Sequence, residues 1–395
     1  MMWKKVLASL FGVLLLAGIV PLISAEENNT VDLSMVILVS DNEADSALAE
    51  KIAESLNVSI VVTPWGVYDP NVTSEIASYA PDKVLIIGGP AAVPKLYEDD
   101  LVSLNISYAR VWGKDRYGTN AQALEYLVKN YPELMKNVKI VIAHGRDLGA
   151  IKDIENRSNV FPIYVDNGHE NQTDLLGIIK VSGVVIIKTP ISGNITERIR
   201  ERVRERAENV TEVEENITAE VAWEAIEIAQ NKTALAESMV ENATIPAAPK
   251  LLELAKKELD RALEAYNESN YGKAYGQAMA AKVHAEAVIR MSTEKFSEKF
   301  RNNLEVRAKV EIAKVERMVE RFGEMGFNVT AANETLQQAK AAYDGGRYGE
   351  AYSLAKEAED MLRGLIHEKK LEIREKMREK IKERIQRGRR HGQRP

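Results

Sequence analysis

Five residues stand out as candidates for chemistry: Gly88 and Gly89, which lead into Pro90 after the apolar run Val84–Ile87, and Lys114, Asp115 and Arg116. A Gly-Gly-Pro turn that leaves a strand and opens a helix aims backbone N–H groups at an anion. Glycine there also simply lets the chain turn tightly and pack helix on sheet. Arg116 suits bidentate binding of a carboxylate or phosphate. The other reading has Asp115 and Arg116 fixing a junction by internal ion pairs, just ahead of Thr119 as a helix N-cap. Asp41, Glu43 and Asp45 offer oxygen ligands to a divalent cation, though three acids near a strand end also serve as solvated or capping groups. His144-Gly145-Arg146-Asp147 has catalytic residue types but stands where a strand-end turn belongs.

The motifs that would carry catalysis are missing from the sequence. There is no Gly-x-Ser-x-Gly elbow, P-loop or His-Glu-x-x-His. Gly-x-Gly-x-x-Gly is absent too, so parallel strands imply no nucleotide, and no cofactor is expected. With no cysteine, disulfides, thiolate metal sites and cysteine nucleophiles fall away together. The five histidines are scattered and include no pair at metal-ligand spacing. The expectation is a protein that is not an enzyme.

The elements that must position these residues differ between the two halves of the 395-residue chain. From Ser34 to Thr196, β-branched runs (Met35–Val39, Val58–Val62, Val84–Ile87, Lys139–Ala143, Pro162–Val165, Val184–Ile187) alternate with helical patterns such as Ala44–Leu56 and Thr119–Tyr131. That alternation predicts tandem βαβ modules and a mostly parallel sheet, an α/β fold with both sheet faces covered. Beyond Thr196 no strand pattern is evident, and apolar residues recur every three or four positions, as in Leu252, Ala255, Leu259, Ala262 and Tyr266. This predicts an all-α region of helical hairpins or a bundle. Ala265 to Tyr275 returns as Ala342 to Tyr352, with polar and glycine residues between Ala-rich helices, so two tight turns with tyrosines packed across them are expected. Ser292 to Met325 reads as one long connecting helix whose face from Leu304 to Met325 is core. Pro246 and Pro249 mark a boundary.

The N-terminus carries its own signals. Met1 to Lys5 is a short positive region, Val6–Ile23 is almost wholly apolar, and Ser24-Ala25 offers a cleavage site before Glu26: a secretory signal over 1–25, or an uncleaved anchor. Fourteen of the 24 asparagines lie in Asn-x-Ser/Thr: Asn28, Asn57, Asn71, Asn105, Asn156, Asn171, Asn194, Asn209, Asn216, Asn231, Asn242, Asn267, Asn328 and Asn333. Chance predicts roughly two such sites. An exported chain so rich in acceptors is expected to be N-glycosylated along its length, secreted or held at the cell surface. Absent cysteine and heavy Glu, Lys and Arg use lean towards a thermophilic archaeon.

Three segments together carry a family resemblance: Val36 to Ala49 with its Asp45-Ser46-Ala47-Leu48, Lys83 to Val93 with its Gly88-Gly89, and Arg110-Val111-Trp112-Gly113-Lys114-Asp115-Arg116-Tyr117-Gly118-Thr119. In this order the chain resembles the cell wall-binding repeat 2 family, clearly over 34–129 and in degenerate form over 138–195. Members of that family usually carry three tandem modules around a pseudo-threefold axis and hold a protein on an anionic envelope polymer. The resemblance spans two modules here, and oligomerisation would supply the rest. Its implied partners are an anionic envelope polymer or a surface-layer component.

The remaining segments are a helical connector at 196–245, helical hairpin repeats at 250–365, and a charged helix with a basic tail at 366–395. The tail holds twelve Lys/Arg against five Glu, a net +7; since the whole chain sums to −6, the remainder is −13. From Ile366 the apolar stripe thins to Ile373, Met377, Ile381 and Ile385, either a narrow coiled-coil seam or a solvated helix held by Glu–Lys/Arg pairs. On an exported protein anionic lipid headgroups or acidic glycans suit this tail better than nucleic acid, which is not expected as a partner; a frayed, solvated terminus is the plain alternative. The leading expectation is a secreted, glycosylated, non-catalytic envelope protein that binds an anionic polymer or the surface layer through its α/β modules. The alternatives are a structural or adhesive assembly protein whose helical half makes a homo-oligomer, and a surface glycan or peptide hydrolase.

Overall fold

In the computed structural model the described residues are 35–240 and 245–391, with side chains undescribed for Ser297 and, past Glu372, for all but Glu375. The signal segment, Asn28, Asn242 and the last four residues lie outside them. Among the described residues no helix is long and apolar enough to cross a membrane.

The first half builds two four-stranded parallel sheets of one topology. β1 (Met35–Ser40), α1 (Glu43–Leu56), β2 (Ser59–Thr63), α2 (Pro70–Tyr79), β3 (Lys83–Ile87), α3 (Leu96–Ser103), β4 (Ser107–Val111) and α4 (Arg116–Asn130) form the first module, with strand order β2-β1-β3-β4. β5 (Lys136–His144), α5 (Leu148–Glu155), β6 (Val160–Val165), a 3-10 segment (Glu170–Gly177), β7 (Lys180–Lys188), α6 (Ile195–Arg204) and β8 (Val210–Glu214) form the second, ordered β6-β5-β7-β8. All six expected strands are present. Two edge strands, β4 and β8, were not expected, and β8 corrects the expectation that no strand lies beyond Thr196: the segment 196–245 holds a helix, a strand and then another helix. Edge strands show one or both faces to water, so Val210-Thr211-Glu212-Val213-Glu214 lacks the continuous apolar run that marks β3 or β5.

Period-two alternation sends the two faces of the first sheet to different cores. Ile37, Val39, Leu85 and Ile87 pack with Leu48, Ile52 and Leu124, and also with Ile140, Phe161 and Ile186 of the second sheet, so the modules share one core. Val36, Leu38, Val84 and Ile86 face the other way, onto Val72, Ile76, Tyr97 and Leu101.

The second half is helical. α7 (Ala219–Val240), α8 (Ala248–Asn267) and α9 (Tyr271–Asn302) pack together, and so do α10 (Leu304–Glu324), α11 (Thr330–Asp344) and α12 (Tyr348–His391). Both repeated turns have the expected tyrosine pair, Tyr266–Tyr271 at 5.4 Å and Tyr343–Tyr348 at 5.2 Å between ring centroids. In each, the N–H of Asn270 or Arg347 donates to the carbonyl of Ala265 or Ala342. The preceding residue has positive φ, 59° at Ser269 and 72° at Gly346. Buried alanines at matching positions (Ala262 and Ala339, Ala274 and Ala351, Ala278 and Ala355) let the helices approach closely.

The long helix expected from Ser292 to Met325 is instead broken at Asn303. Its extended backbone ends α9, and its side chain accepts from the N–H groups of Glu305 (2.8 Å) and Val306 (3.4 Å) to start α10. On the expected face Ile312, Val315, Met318 and Phe322 are core, but Leu304 is 49% exposed and Met325 37% because both stand at helix ends.

Each bundle is joined to the α/β half by its own chemistry. Ala308, Val315, Met318, Phe322, Leu336 and Leu362 complete the core over α2 and α3 of the first module. At its centre Lys314, 1% exposed, meets three carboxylates: Glu359 at 2.6 Å, Glu311 at 2.8 Å and Asp100 at 2.9 Å. Burial opposes the charge of Glu359, but Lys314 and Lys356 more than offset it and hold its pKa down to about 2. The first bundle meets both modules: Leu148 of the second packs with Ala225, Ile226 and Ala278, while Trp65 and Val67 of the first pack against the cluster of Ala285, Val288 and Ile289. Lys152 of α5 also pairs with Glu224 of α7.

Candidate functional site

In the first sheet β1 connects outward to β2, and the chain then returns to place β3 on the other side of β1. The loops after β1 and β3 therefore diverge and leave a crevice at the carboxyl ends of the strands, the usual ligand position in open parallel sheets. A cleft of about 320 Å³ opens there. The loop after β1 supplies Asn42 and the first turn of α1 Asp45, the loop after β2 Trp65, the loop after β3 Gly89, the loop after β4 Trp112, Lys114 and Asp115, and the start of α4 Arg116. Arg146 reaches it from the second module, and Glu286 and Arg290 from α9.

Of the five sequence candidates, Gly89, Lys114, Asp115 and Arg116 line this cleft, and Gly88 does not. Gly88 has φ 118°, a conformation that L side chains rarely adopt. A Cβ on Gly89 would come 3.0 Å from Trp112, whose indole covers that backbone. The expected anion site at a helix N-terminus is not there. The Gly88 N–H donates to the Val111 carbonyl, Gly89-Pro90 enters a turn, and α3 begins only at Leu96. Glycine at this place serves close packing.

Asp115 and Arg116 act at the module junction. Asp115, and not Thr119 as expected, caps α4: its carboxylate accepts from the Gly118 N–H at 2.9 Å. Thr119 is buried in the first turn, where its hydroxyl accepts from the Gly113 N–H. Gly113 lies so close to Gly118 that no side chain fits there. Asp115 also meets His169 of the second module at 3.2 Å, and His169 in turn meets Asp166 at 2.6 Å and stacks on Tyr117. Arg116 donates to the Gly145 carbonyl at 2.8 Å, so it ties the modules through a backbone group and makes no ion pair with Asp115. Nearby, the buried Asn120 satisfies the open edge of β6, donating to the Pro162 carbonyl and accepting from the Tyr164 N–H.

The three acids after β1 are divided among different partners. Lys232 of α7 holds Asp41 at 2.6 Å, and Lys282 of α9 holds Glu43. Burial opposes ionisation of Glu43, yet Lys282 outweighs it and lowers the pKa. Asp45 is buried without such a partner. Burial pushes its carboxyl up to about 7, with Arg116 pulling against the shift. Asn42, 4% exposed, has no hydrogen-bond partner for its Oδ1 in the cleft wall. His144-Gly145-Arg146-Asp147 is the turn after β5, as expected: Asp147 caps α5 by accepting from the Ala150 N–H.

Sequence reasoning missed Trp65, Trp112, Arg146, Glu286 and Arg290 as site residues. Trp112 stood inside the recognised junction motif, and its 51% exposure is what marks it. Glu286 and Arg290 come from a helix far along the chain and leave no local signal. All twelve described Asn-x-Ser/Thr asparagines are exposed, and none lines the cleft.

No protein-family model matches the chain. Over 194 residues, 48% of this chain, it is 32% identical to an uncharacterized protein of Methanocaldococcus jannaschii, and it spans 55% of that protein's length. Among solved structures it is similar to Cwp6 from Clostridium difficile, with 20% identity and a TM-score of 0.37 over 46% of this chain and 29% of that one.

Proposed function

We propose that this protein is an exported, N-glycosylated, non-catalytic component of a cell envelope that attaches to an anionic surface polymer through the cleft of its first module. One observation carries the reading: two tryptophans and four cations (Lys114, Arg116, Arg146, Arg290) converge at the strand-end crevice, beside an unpartnered buried acceptor, Asn42 Oδ1. Indole faces pack on the C–H faces of sugars, guanidinium groups take carboxylate or phosphate, and a fixed amide oxygen accepts from a hydroxyl. An acidic glycan presents all three. The exposure of every described sequon asparagine supports glycosylation, and the sequence resemblance supports the polymer as partner.

The test uses the full-length mature chain and envelopes isolated from the source cells. The protein should sediment with them at low salt and be released as salt rises. Trp112→Ala, or Lys114→Glu together with Arg290→Glu, should leave it in the supernatant. Wild-type protein that stays soluble at low salt removes the reading, and polymer shortened after incubation removes the non-catalytic part of it. Intact mass before and after removal of N-glycans checks the modification.

The alternative, assembly through the helical half, rests on α12, whose 44 residues span about 66 Å at 1.5 Å per residue. Against it, the apolar face of α10 is already committed to the first module.

A further inference from the structure

A second cavity lies away from the strand-end cleft, where the break at Asn303 turns α9 into α10. It is a half-open pocket of about 600 Å³, inside the range of about 300–1,000 Å³ typical of small-molecule sites. Its wall is mostly apolar: Val67 and Pro70 before and at the start of α2, Met239 at the end of α7, Phe296 on α9, and Val306 and Val310 on α10. Its polar groups are the hydroxyls of Tyr68, Ser238, Ser292 and Thr293 and three lysines, so its charged groups are all cations. Lys295, Lys299 and Lys309 border it, and of these only Lys295 has an ion-pair partner among the described residues, Glu298 at 2.9 Å. Ser292, 4% exposed, lines it with an Oγ that has no hydrogen-bond partner. Its neighbour Thr293 is satisfied by the Gly66 carbonyl.

We infer that this cavity binds a single-chain amphiphile, an acyl or prenyl chain with an anionic carboxylate or phosphate head. Each part of the site accounts for one part of such a ligand. The apolar wall removes the chain from water, and binding strengthens with each buried methylene. Lys299 and Lys309, free of carboxylates, set the sign of the head group. The Ser292 hydroxyl gives its unused hydrogen bond to a head-group oxygen. A wholly apolar ligand leaves the lysines and the serine unused, and a free sugar or nucleotide finds no polar partners along most of the wall.

The inference is tested on the full chain with palmitate and with dodecyl phosphate as probes, both below their micellar concentrations. One equivalent of each should bind saturably by calorimetry, and hexadecanol, which lacks the charge, should bind at least about tenfold more weakly. Lys299→Glu with Lys309→Glu, both on the surface, should weaken palmitate by about tenfold or more while leaving the thermal midpoint unchanged. Val310→Trp should fill the cavity and abolish binding. Flotation with anionic phospholipid vesicles separates the two sources of such a head group: binding to free amphiphiles without flotation identifies a soluble chain, and flotation abolished by Val310→Trp identifies a membrane lipid. Absence of saturable palmitate binding, or equal affinity in the lysine variant, overturns the inference. The two cavities share no lining residue, so this outcome leaves the envelope-binding reading untouched.

Discussion

The two α/β modules have the same strand order, yet their strand ends are furnished differently, and the first carries the cleft of about 320 Å³. In the second, Tyr275 of α9 sits over the corresponding turn. Its hydroxyl accepts from the Leu148 N–H at 2.9 Å and donates to the Arg146 carbonyl at 2.6 Å. Below it Asp147 and Thr189, the turn residues after β5 and β7, are buried against each other. In the first module the same two loops end in Asn42 and Gly88-Gly89, and α9 supplies Glu286 and Arg290 to the cleft rim in place of a plug. One helix thus closes one module and furnishes the other. The sheet topology makes two equivalent crevices, and side chains from outside the sheets decide which one is available.

The largest expected effect concerns how the open module is held. Lys314→Met leaves Asp100, Glu311 and Glu359 buried together without their central cation and should cost about 3–5 kcal/mol in chemical denaturation. A loss below about 1 kcal/mol would mean that the second bundle is held by apolar packing alone.

The next effect separates the clefts by pH. The folded pKa of Asp45, about 7, lies above its ordinary value of 3.8. The unfolded state therefore loses the proton first, and stability falls as pH rises from about 4 to 7 and stays reduced above that. Asp45→Asn removes the penalty. It should stabilise the protein at pH 8 by about 2–4 kcal/mol and change little at pH 4. Equal effects at both pH values would contradict the buried, unpaired state of this carboxyl.

Opening the closed module should be cheaper. Tyr275→Phe strips the Leu148 N–H of its acceptor in a buried place and should cost about 1–3 kcal/mol by thermal or urea unfolding. The smallest stability effect belongs to Trp112→Ala, within about 0.5 kcal/mol because half the side chain is in solvent, although the same change should remove envelope binding. Loss of stability with binding retained would place Trp112 in the fold and outside the site.

What the sequence made legible follows from where each signal is stored. β1, β3 and β5 are buried on both faces, so their apolar runs announce them. β4 and β8 are edges, and their mixed composition does not. The 77-residue repeat was readable because both turns need the same geometry, positive φ at Ser269 and Gly346. The junction residues Asp115 and Arg116 were found together with their place between the modules, where Asp115 pairs with His169, but the helix cap and the backbone tie were not, because these depend on Gly118 and Gly145, which spacing alone does not reveal. The break at Asn303 was missed because the amphipathic pattern continues across it, the capping bond being satisfied by a single asparagine side chain. Arg290, Glu286 and Tyr275 reach the strand ends from α9 only through tertiary packing.

The core shared by α10–α12 and the first module also orders events in time. Lys314 lies 214 residues beyond Asp100, and Glu359 lies 256 beyond Ser103, whose hydroxyl donates to it. At about 5–20 residues per second of synthesis, the face of the first module carrying Val72, Ile76 and Tyr97 waits on the order of 10 to 50 s for the helices that cover it. The earliest module to be made is thus among the last to be finished, and a chain stopped short of α12 presents an uncovered apolar face that favours association with other chains.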